Sequence, residues 1–293
     1  MDQRPYWRTF ALPGLGWLLL FVVVPAYAVL AIAMGRVNFL LTPVPAWNPA
    51  TWNPGYLSKA FSGSLPGGEY WPAVRNTLVF VAASLALCFA IGYPVAYYVA
   101  RHARRSKTLL IVLLVIPFWV SYLLRMLAWI GLLSPDGYVN QILQALGITN
   151  PPDWLNGNAY SVILALVYGY IPYFILPVFA GLDRIDRSQI EAARDLGATP
   201  LRAFLHVTLP LSRPSILAGS ALVALPMFGD YYTNDLISGS PHTNMLGNEI
   251  NLFVQGGSQK NLGASLVIVL MVILTVGMGY YLYSTARDTK RFA

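Results

Sequence analysis

The stretch DRIDRSQIEAARDLGATPLRAFLHVTLPLSRP, residues 183–214, places nine charged side chains between two long apolar runs. Within it, Ser188-Gln189-Ile190-Glu191 has the spacing of a capping box, in which hydroxyl and carboxylate satisfy each other's free backbone N–H groups. The helix so started stops at Gly197, a residue suited to the left-handed position after a C-cap. Thr199-Pro200 restarts helix as N-cap and first helical residue, and Leu209-Pro210 ends it. The stretch therefore predicts a compact helix-turn-helix with Ile190, Ala193, Leu196, Leu201, Phe204 and Leu205 as its apolar side chains. A plain connection between two apolar runs needs only a few turn residues, so two capped helices suggest a docking surface. The alternative is an amphipathic helix resting on lipid headgroups.

Working outward, the runs on either side are too apolar and too long for a soluble fold. Of the 293 residues 56% are hydrophobic and 11% charged, with mean hydropathy +0.56, against about 25% charged in soluble domains. Six segments reach the roughly 20 apolar residues a bilayer-spanning helix needs: Phe10–Met34, Asn76–Ala100, Leu109–Leu133, Ala159–Leu182, Ser215–Ile237 and Leu262–Thr285. The expected fold is all-α, a polytopic membrane bundle of six transmembrane helices forming one domain over 1–293. Pro25, Pro94, Pro117, Pro172, Pro177 and Pro226 lie inside these spans and mark expected kinks. Arg4 and Arg8 precede the first span, and Ala26-Tyr27-Ala28 mimics a cleavage site, but about 25 apolar residues exceed the h-region of a signal peptide. A retained span is expected.

The 19 Lys and Arg residues are unevenly placed: 14 fall in the N-terminus, loops 101–108 and 183–214, and the C-terminal tail. The opposite loops hold only Arg36, Lys59, Arg75 and Lys260. The positive-inside rule then puts both termini in the cytoplasm. The net charge of +7 thus reads as a topology signal and gives no reason to expect nucleic acid as a partner. The first external loop, rich in Pro and Trp, is expected to lie against the lipid bilayer. His102, His206 and His242 lack ligand spacing, so no metal is expected, and Cys88 is a lone residue within an apolar run.

The run Glu191-Ala192-Ala193, three residues, Gly197, nine residues, Val207-Thr208-Leu209-Pro210 resembles the EAA signature of ABC importer permeases, departing only at Val207, where the family has Ile. The resemblance implies that 183–214 is a coupling-helix loop inserted into a groove on a partner ATPase. It also implies a homologous permease subunit, two ATP-binding-cassette ATPase subunits, an extracytoplasmic substrate-binding protein and a place in the bacterial plasma (inner) membrane. No G-x-x-x-x-G-K-[ST] loop occurs here, so ATP and Mg are expected on the partner ATPase, this chain having no cofactor and no enzymatic role. Pro117-Phe118-Trp119, Arg125, Gly137, Asn140, Leu225-Pro226, Gly229, Tyr231, Tyr232, Asp235-Leu236, Gly247-Asn248 and Ile250 look like spermidine/putrescine permeases of the PotB type. Permeases for iron(III), thiamine or other small solutes share part of this pattern.

Ionisable groups within a span are costly and by default functional candidates; here they are Arg125, Asp230 and Asp235. At about 1.5 Å per residue they lie roughly 26, 22 and 30 Å along their helices from the cytoplasmic side. Their sum is one negative charge, which favours a cationic cargo, and Trp119, Tyr122, Phe228, Tyr231 and Tyr232 offer cation–π faces. Packing or interface anchoring is the competing role for each aromatic. Asp230 and Asp235 point about 140° apart on an unbroken helix, so both reach one cavity only if Pro226 and Gly229 break it. Asp235, which matches an acidic position of the family, is the first candidate. An Arg125–Asp235 ion pair, or an Asp235 just outside the hydrocarbon, is the alternative. Asn248 and Glu249 are candidates for contacting the binding protein or closing an outer gate, or belong to an ordinary loop. A stand-alone channel or secondary transporter is the rival class, opposed by the absence of an inverted repeat and of coupling-ion clusters. An intramembrane enzyme lacks any nucleophile–base pair.

Overall fold

The computed structural model describes residues 12–39, 42–103, 105–256 and 259–292, with Tyr280, Leu282 and 284–292 described by backbone only. Arg4, Arg8 and Arg104 of the charge count, and residues 10 and 11 of the first expected span, lie outside the described residues.

The described residues are mostly helical. In order it forms α1 (Leu12–Ala33), a short hairpin of β1 (Arg36–Val37) and β2 (Pro43–Val44), α2 (Gly55–Ser64), α3 (Trp71–Arg101) and α4 (Lys107–Val115). Then come α5 (Tyr122–Leu133), α6 (Tyr138–Ala145), α7 (Ala159–Arg184), α8 (Arg187–Asp195) and the helical run α9 (Pro200–Leu211). Four more follow: α10 (Arg213–Phe228), α11 (Tyr232–Ile237), α12 (Leu246–Gln255) and α13 (Lys260–Phe292). Among the described residues α1, α3, α7 and α13 are long and apolar enough to cross a bilayer singly, and two bent helix pairs, each counted as one span, give six.

The interruptions have local causes. Pro94, Pro172 and Pro177 sit inside unbroken α3 and α7. Pro117, by contrast, stands in a 3-10 turn, Ile116–Trp119, after which Val120 is extended; the direction changes by 89° before α5–α6. In the fifth span Pro226 and Gly229 end α10, and helix resumes only at Tyr232.

Two expectations for the 183–214 loop need correction. The N-cap of α8 is Asp186, not Ser188: its carboxylate accepts the Ser188 N–H at 3.1 Å. A carboxylate two residues earlier captures the free N–H groups and interacts better with the helix dipole than a hydroxyl does. Nor does Pro210 end the second helix. A π-turn over Phe204–Thr208 widens the coil, Leu209 N–H reaches back to Phe204 C=O, and helix continues to Leu211 before a 60° bend into α10. The π-turn supplies the room that a residue lacking an N–H requires. Gly197 (φ +87°) and the Thr199 cap on Arg202 N–H stand as the sequence predicts.

The chain divides into two compact units. In the first, Met1–Trp71 with Glu249–Ile273, backbone carbonyls at the end of α1 hold the segment that follows it and the start of α13. Ala46 N–H donates to Ala31 C=O at 2.8 Å, Asn53 N–H to Met34 C=O at 2.9 Å, and Asn261 Nδ2 to Ile32 C=O at 2.6 Å. Leu12, Trp17, Leu18 and Phe21 of α1 are all more than half exposed. An uncovered apolar run of this length belongs in lipid.

In the second unit, Pro72–Asn248 with Leu274–Ala293, α7 and α10 make the most extensive contact. Lipid removes the hydrophobic drive for helix pairing, so close backbone approach and packing must provide it. Gly181 lets the Ser215 side chain occupy the place of a Cβ, and Gly92 and Gly219 both receive Phe174. Phe174, Leu166, Val178, Leu182, Val223 and Met227 form the buried core here. At one end, Arg101 and Lys107 meet residues 183–185: Lys107 pairs with Asp183 and Arg101 Nη1 donates to Ile185 C=O at 3.0 Å. At the other, Asn76 Nδ2 donates to the carbonyls of His242 and Asn244 at 2.9 and 3.0 Å, and Leu246 N–H donates to Thr77 Oγ1.

Candidate functional site

Two surfaces carry the residues singled out from sequence. The first is the α8–α9 hairpin. Phe204 turns inward, edge-on to Tyr93 and Tyr97 of α3 with ring centroids 5.9 and 5.5 Å apart. Ser212 Oγ lies 3.1 Å from the Tyr93 hydroxyl and donates to Leu209 C=O. Thr208 and Ala203 are buried with it. The hairpin's apolar residues thus divide between two faces. Leu196, Leu201 and Leu205 face outward, with Leu196 90% exposed. Glu191 and Ala192 are exposed on α8 and Ala193 is half-buried, while Leu209 and Pro210 are half-buried where α9 rejoins α10. The outward leucines and an exposed carboxylate lie on one face of the hairpin, while Phe204, Thr208 and Ala203 anchor the other.

The second surface is a cavity of about 370 Å³ between α5, α7 and the α10–α11 break, whose lining includes Tyr122, Arg125, Tyr170, Tyr173, Asp230, Tyr231 and Tyr232. The break at Gly229 creates it. Freed from helix, Asp230 turns back to accept Thr233 N–H at 2.9 Å on Oδ1, the geometry of a cap on α11. Its Oδ2 accepts the Thr233 hydroxyl at 2.7 Å and the Tyr170 hydroxyl at 3.0 Å. Tyr122 completes the chain by hydrogen bonding to Thr233 Oγ1. Gly169 makes space for Tyr122, whose ring lies where a Cβ would project.

Asp230 is 8% exposed, and every partner it has is neutral. Among the described residues no cation lies within ion-pair distance of it. Arg125 lines the same cavity but rests its guanidinium over the rings of Phe118, Tyr122 and Tyr168 at 4.3, 5.3 and 5.8 Å. Its Nε and Nη1 are buried without a hydrogen-bond partner. The cavity therefore keeps one carboxylate and one guanidinium apart, each held by groups that do not neutralise it. Fields of this kind persist in a low dielectric and act on whatever enters.

The other candidates sit elsewhere. Asp235 is exposed in the first turn of α11, where Asn248 Nδ2 donates to it at 2.7 Å and to Tyr231 C=O at 2.9 Å. It does not line the cavity, and no Arg125–Asp235 ion pair forms among the described residues. Asn248 also accepts Met245 N–H, so it joins α11 to the start of α12. Trp119 is 83% exposed and takes no part in the cavity. Tyr231 and Tyr232 stack with centroids 4.2 Å apart. Sequence reasoning missed Tyr170, Tyr173 and Thr233. Thr233 was discoverable, since Asp230-x-x-Thr233 after a helix break is capping spacing. The tyrosines carried no signal distinguishing them from the other aromatics of a membrane chain.

A family model described as "Binding-protein-dependent transport system inner membrane component" matches residues 73–287. The chain is 29% identical over 259 residues to the spermidine/putrescine transport system permease protein PotB of Escherichia coli (strain K12), covering 88% of this chain and 90% of the relative. The PotB of Haemophilus influenzae is 31% identical over 268 residues, 88% of each chain. Among solved structures, a chain of a bacterial alginate ABC transporter in complex with an alginate-bound periplasmic protein superposes with TM-score 0.72 over 97% of this chain and 95% of its own. At 17% identity that likeness speaks for the fold alone. With a matching family model over most of its length, the helical bundle and the exposed hairpin bearing Glu191 and Gly197, the chain belongs to the family of binding-protein-dependent transport system inner membrane components and is a permease subunit of an ABC importer.

Proposed function

We propose that this permease passes polyamines of the spermidine/putrescine class into the cytoplasm, by way of the cavity around Asp230. The observation that carries the reading is the Asp230 carboxylate, ionic partners absent among the described residues, set in a wall of tyrosines. An alkylammonium chain offers that wall its two complements: a charged hydrogen-bond donor for the carboxylate and methylenes and N⁺ charge for the ring faces. The likeness to spermidine/putrescine permeases along 88% of the chain supports the same cargo. In this reading both termini are cytoplasmic, α8 and α9 insert into an ATPase, and the functional complex holds a second permease, two ATPase subunits and an extracytoplasmic binding protein. ATP and Mg bind the ATPase subunits.

Arg125 favours a different cargo. Its unpartnered Nε and Nη1 would suit an anionic group. One experiment separates the two readings: competition of spermidine, putrescine, thiamine, iron(III) and molybdate for uptake in cells lacking and regaining this chain. Restored spermidine or putrescine uptake, resistant to molybdate, is the expected result. Restoration of molybdate uptake alone would replace the polyamine reading with the anionic one.

A further inference from the structure

A second cavity, of about 510 Å³, opens where residues 100–103 and Lys107 face 183–187, and Arg101, Lys107, Asp183, Arg184, Asp186 and Arg187 line it. Two of its charges are already spent on each other, since Lys107 pairs with Asp183. Asp186 is engaged as the N-cap of α8. Three guanidinium groups remain. Arg101 gives Nη1 to Ile185 C=O, but its Nε and Nη2 are shielded from solvent and have no hydrogen-bond partner. Buried guanidinium N–H groups left unmatched are costly, and a planar fork of donors fits phosphate oxygens two at a time. Arg187 contributes a further contact, Nη2 to Arg101 C=O at 3.4 Å, holding the two segments together.

Position identifies the source of the phosphate. Arg101 is the last residue of α3 and Arg184 the last of α7, so the cavity lies at the level where a spanning helix leaves the hydrocarbon. Basic pockets between helix ends at that level bind anionic headgroups. We infer that Arg101, Arg184 and Arg187 form a binding site for the phosphate of an anionic phospholipid headgroup. Because Asp186 and Arg187 also start α8, an occupied site would stiffen the base of the coupling hairpin. The inference rests on the membrane placement of these helix ends and not on the cargo.

The test uses the complete transporter, purified with its partner subunits and placed in nanodiscs of phosphatidylcholine containing increasing phosphatidylglycerol. The wild type is expected to retain phosphatidylglycerol and to gain thermal stability as its fraction rises. At about 1 kcal/mol per basic side chain near an anionic surface, the Arg101→Gln/Arg184→Gln variant loses about thirty-fold in lipid affinity. Arg202→Gln, which removes a charge from α9 outside the cavity, retains lipid as the wild type does. Arg101→Lys/Arg184→Lys keeps most of the retention. Equal lipid retention by wild type and the Gln variant overturns the site, as does stabilisation by inorganic phosphate with no dependence on lipid. If the Gln variant does not fold, a wild-type melting temperature indifferent to phosphatidylglycerol overturns it as well. Retention is read without cargo, so failure here leaves the polyamine reading untouched.

Discussion

Replacing Asp230 by Asn removes a charge while leaving nearly every contact in place. Asn caps helices about as well as Asp, so the bond from Thr233 N–H, 2.9 Å in the wild type, is kept and α11 stays formed. On the other oxygen the new amide N–H₂ meets the hydroxyls of Thr233 and Tyr170. Both hydroxyls can rotate to accept, so the cost to folding is about 1 kcal/mol or less. What is lost is the attraction for an ammonium group. A hydrogen bond to a charged partner contributes about 1.5–3 kcal/mol, roughly ten- to a hundred-fold in uptake efficiency. Initial rates of labelled spermidine uptake across a concentration series measure it, with membrane abundance and basal ATP hydrolysis as checks on assembly. The companion variant Thr233→Val keeps the charge and removes the hydroxyl. It is expected to lower thermal stability by about 1 kcal/mol with only a modest loss of uptake. Wild-type spermidine kinetics in Asp230→Asn would refute the cavity's role. A larger uptake defect in Thr233→Val than in Asp230→Asn would show that the network matters only as scaffold.

Gly197→Ala forces a β-carbon into a left-handed position (φ +87°) at a cost of about 1–2 kcal/mol, shifting α8 against α9. Insertion should be normal while uptake falls and ATP hydrolysis no longer responds to cargo; wild-type uptake would remove Gly197 from coupling. Gly181→Leu drives a side chain into Ser215 at the α7–α10 contact. Overpacking of that kind costs about 1–3 kcal/mol, visible as a lower melting temperature in detergent, and an unchanged melt would mean these helices can separate freely. Orientation is tested by membrane-impermeant thiol reagents in a Cys88→Ser background. Ser62→Cys and Thr149→Cys, both at exposed positions, should label from outside intact spheroplasts and Arg194→Cys only after permeabilisation; the reverse pattern inverts the topology.

What sequence could reveal here divides by how local the physics is. Span positions follow from the length of apolar runs, and α3, α7 and the described part of α1 depart from them by only a few residues. Gly197 and Thr199-Pro200 were readable because a left-handed turn and an N-cap are decided by two or three neighbours. The cap of α8 departs from the sequence expectation for a reason equally local: Asp186 and Ser188 both qualify, and the stronger acceptor takes the free N–H group. Pro210 failed differently. Whether a proline stops a helix depends on whether the preceding turn can widen, and nothing in Phe204–Thr208 advertises a π-turn.

The cavity shows where such reading stops. Arg125, Asp230 and Asp235 stand out in the sequence because charge within a span is expensive, a rule that sees cost but not partners. Partners decide the outcome: Asn248, thirteen residues away, engages Asp235, while Tyr170, sixty residues away, and Thr233 position Asp230. Those pairings exist only because α10 breaks at Gly229, a break visible in sequence as Pro226 and Gly229 but whose direction is not. Trp119 illustrates the same point from the other side, since the 3-10 turn at Pro117 rotates it out of the cavity while leaving Tyr122, three residues on, inside. A broken span therefore does what an intact one cannot. It turns one of two carboxylates toward the aromatic wall and gives the other to a neighbouring helix, so the break itself decides which carboxylate lines the cavity.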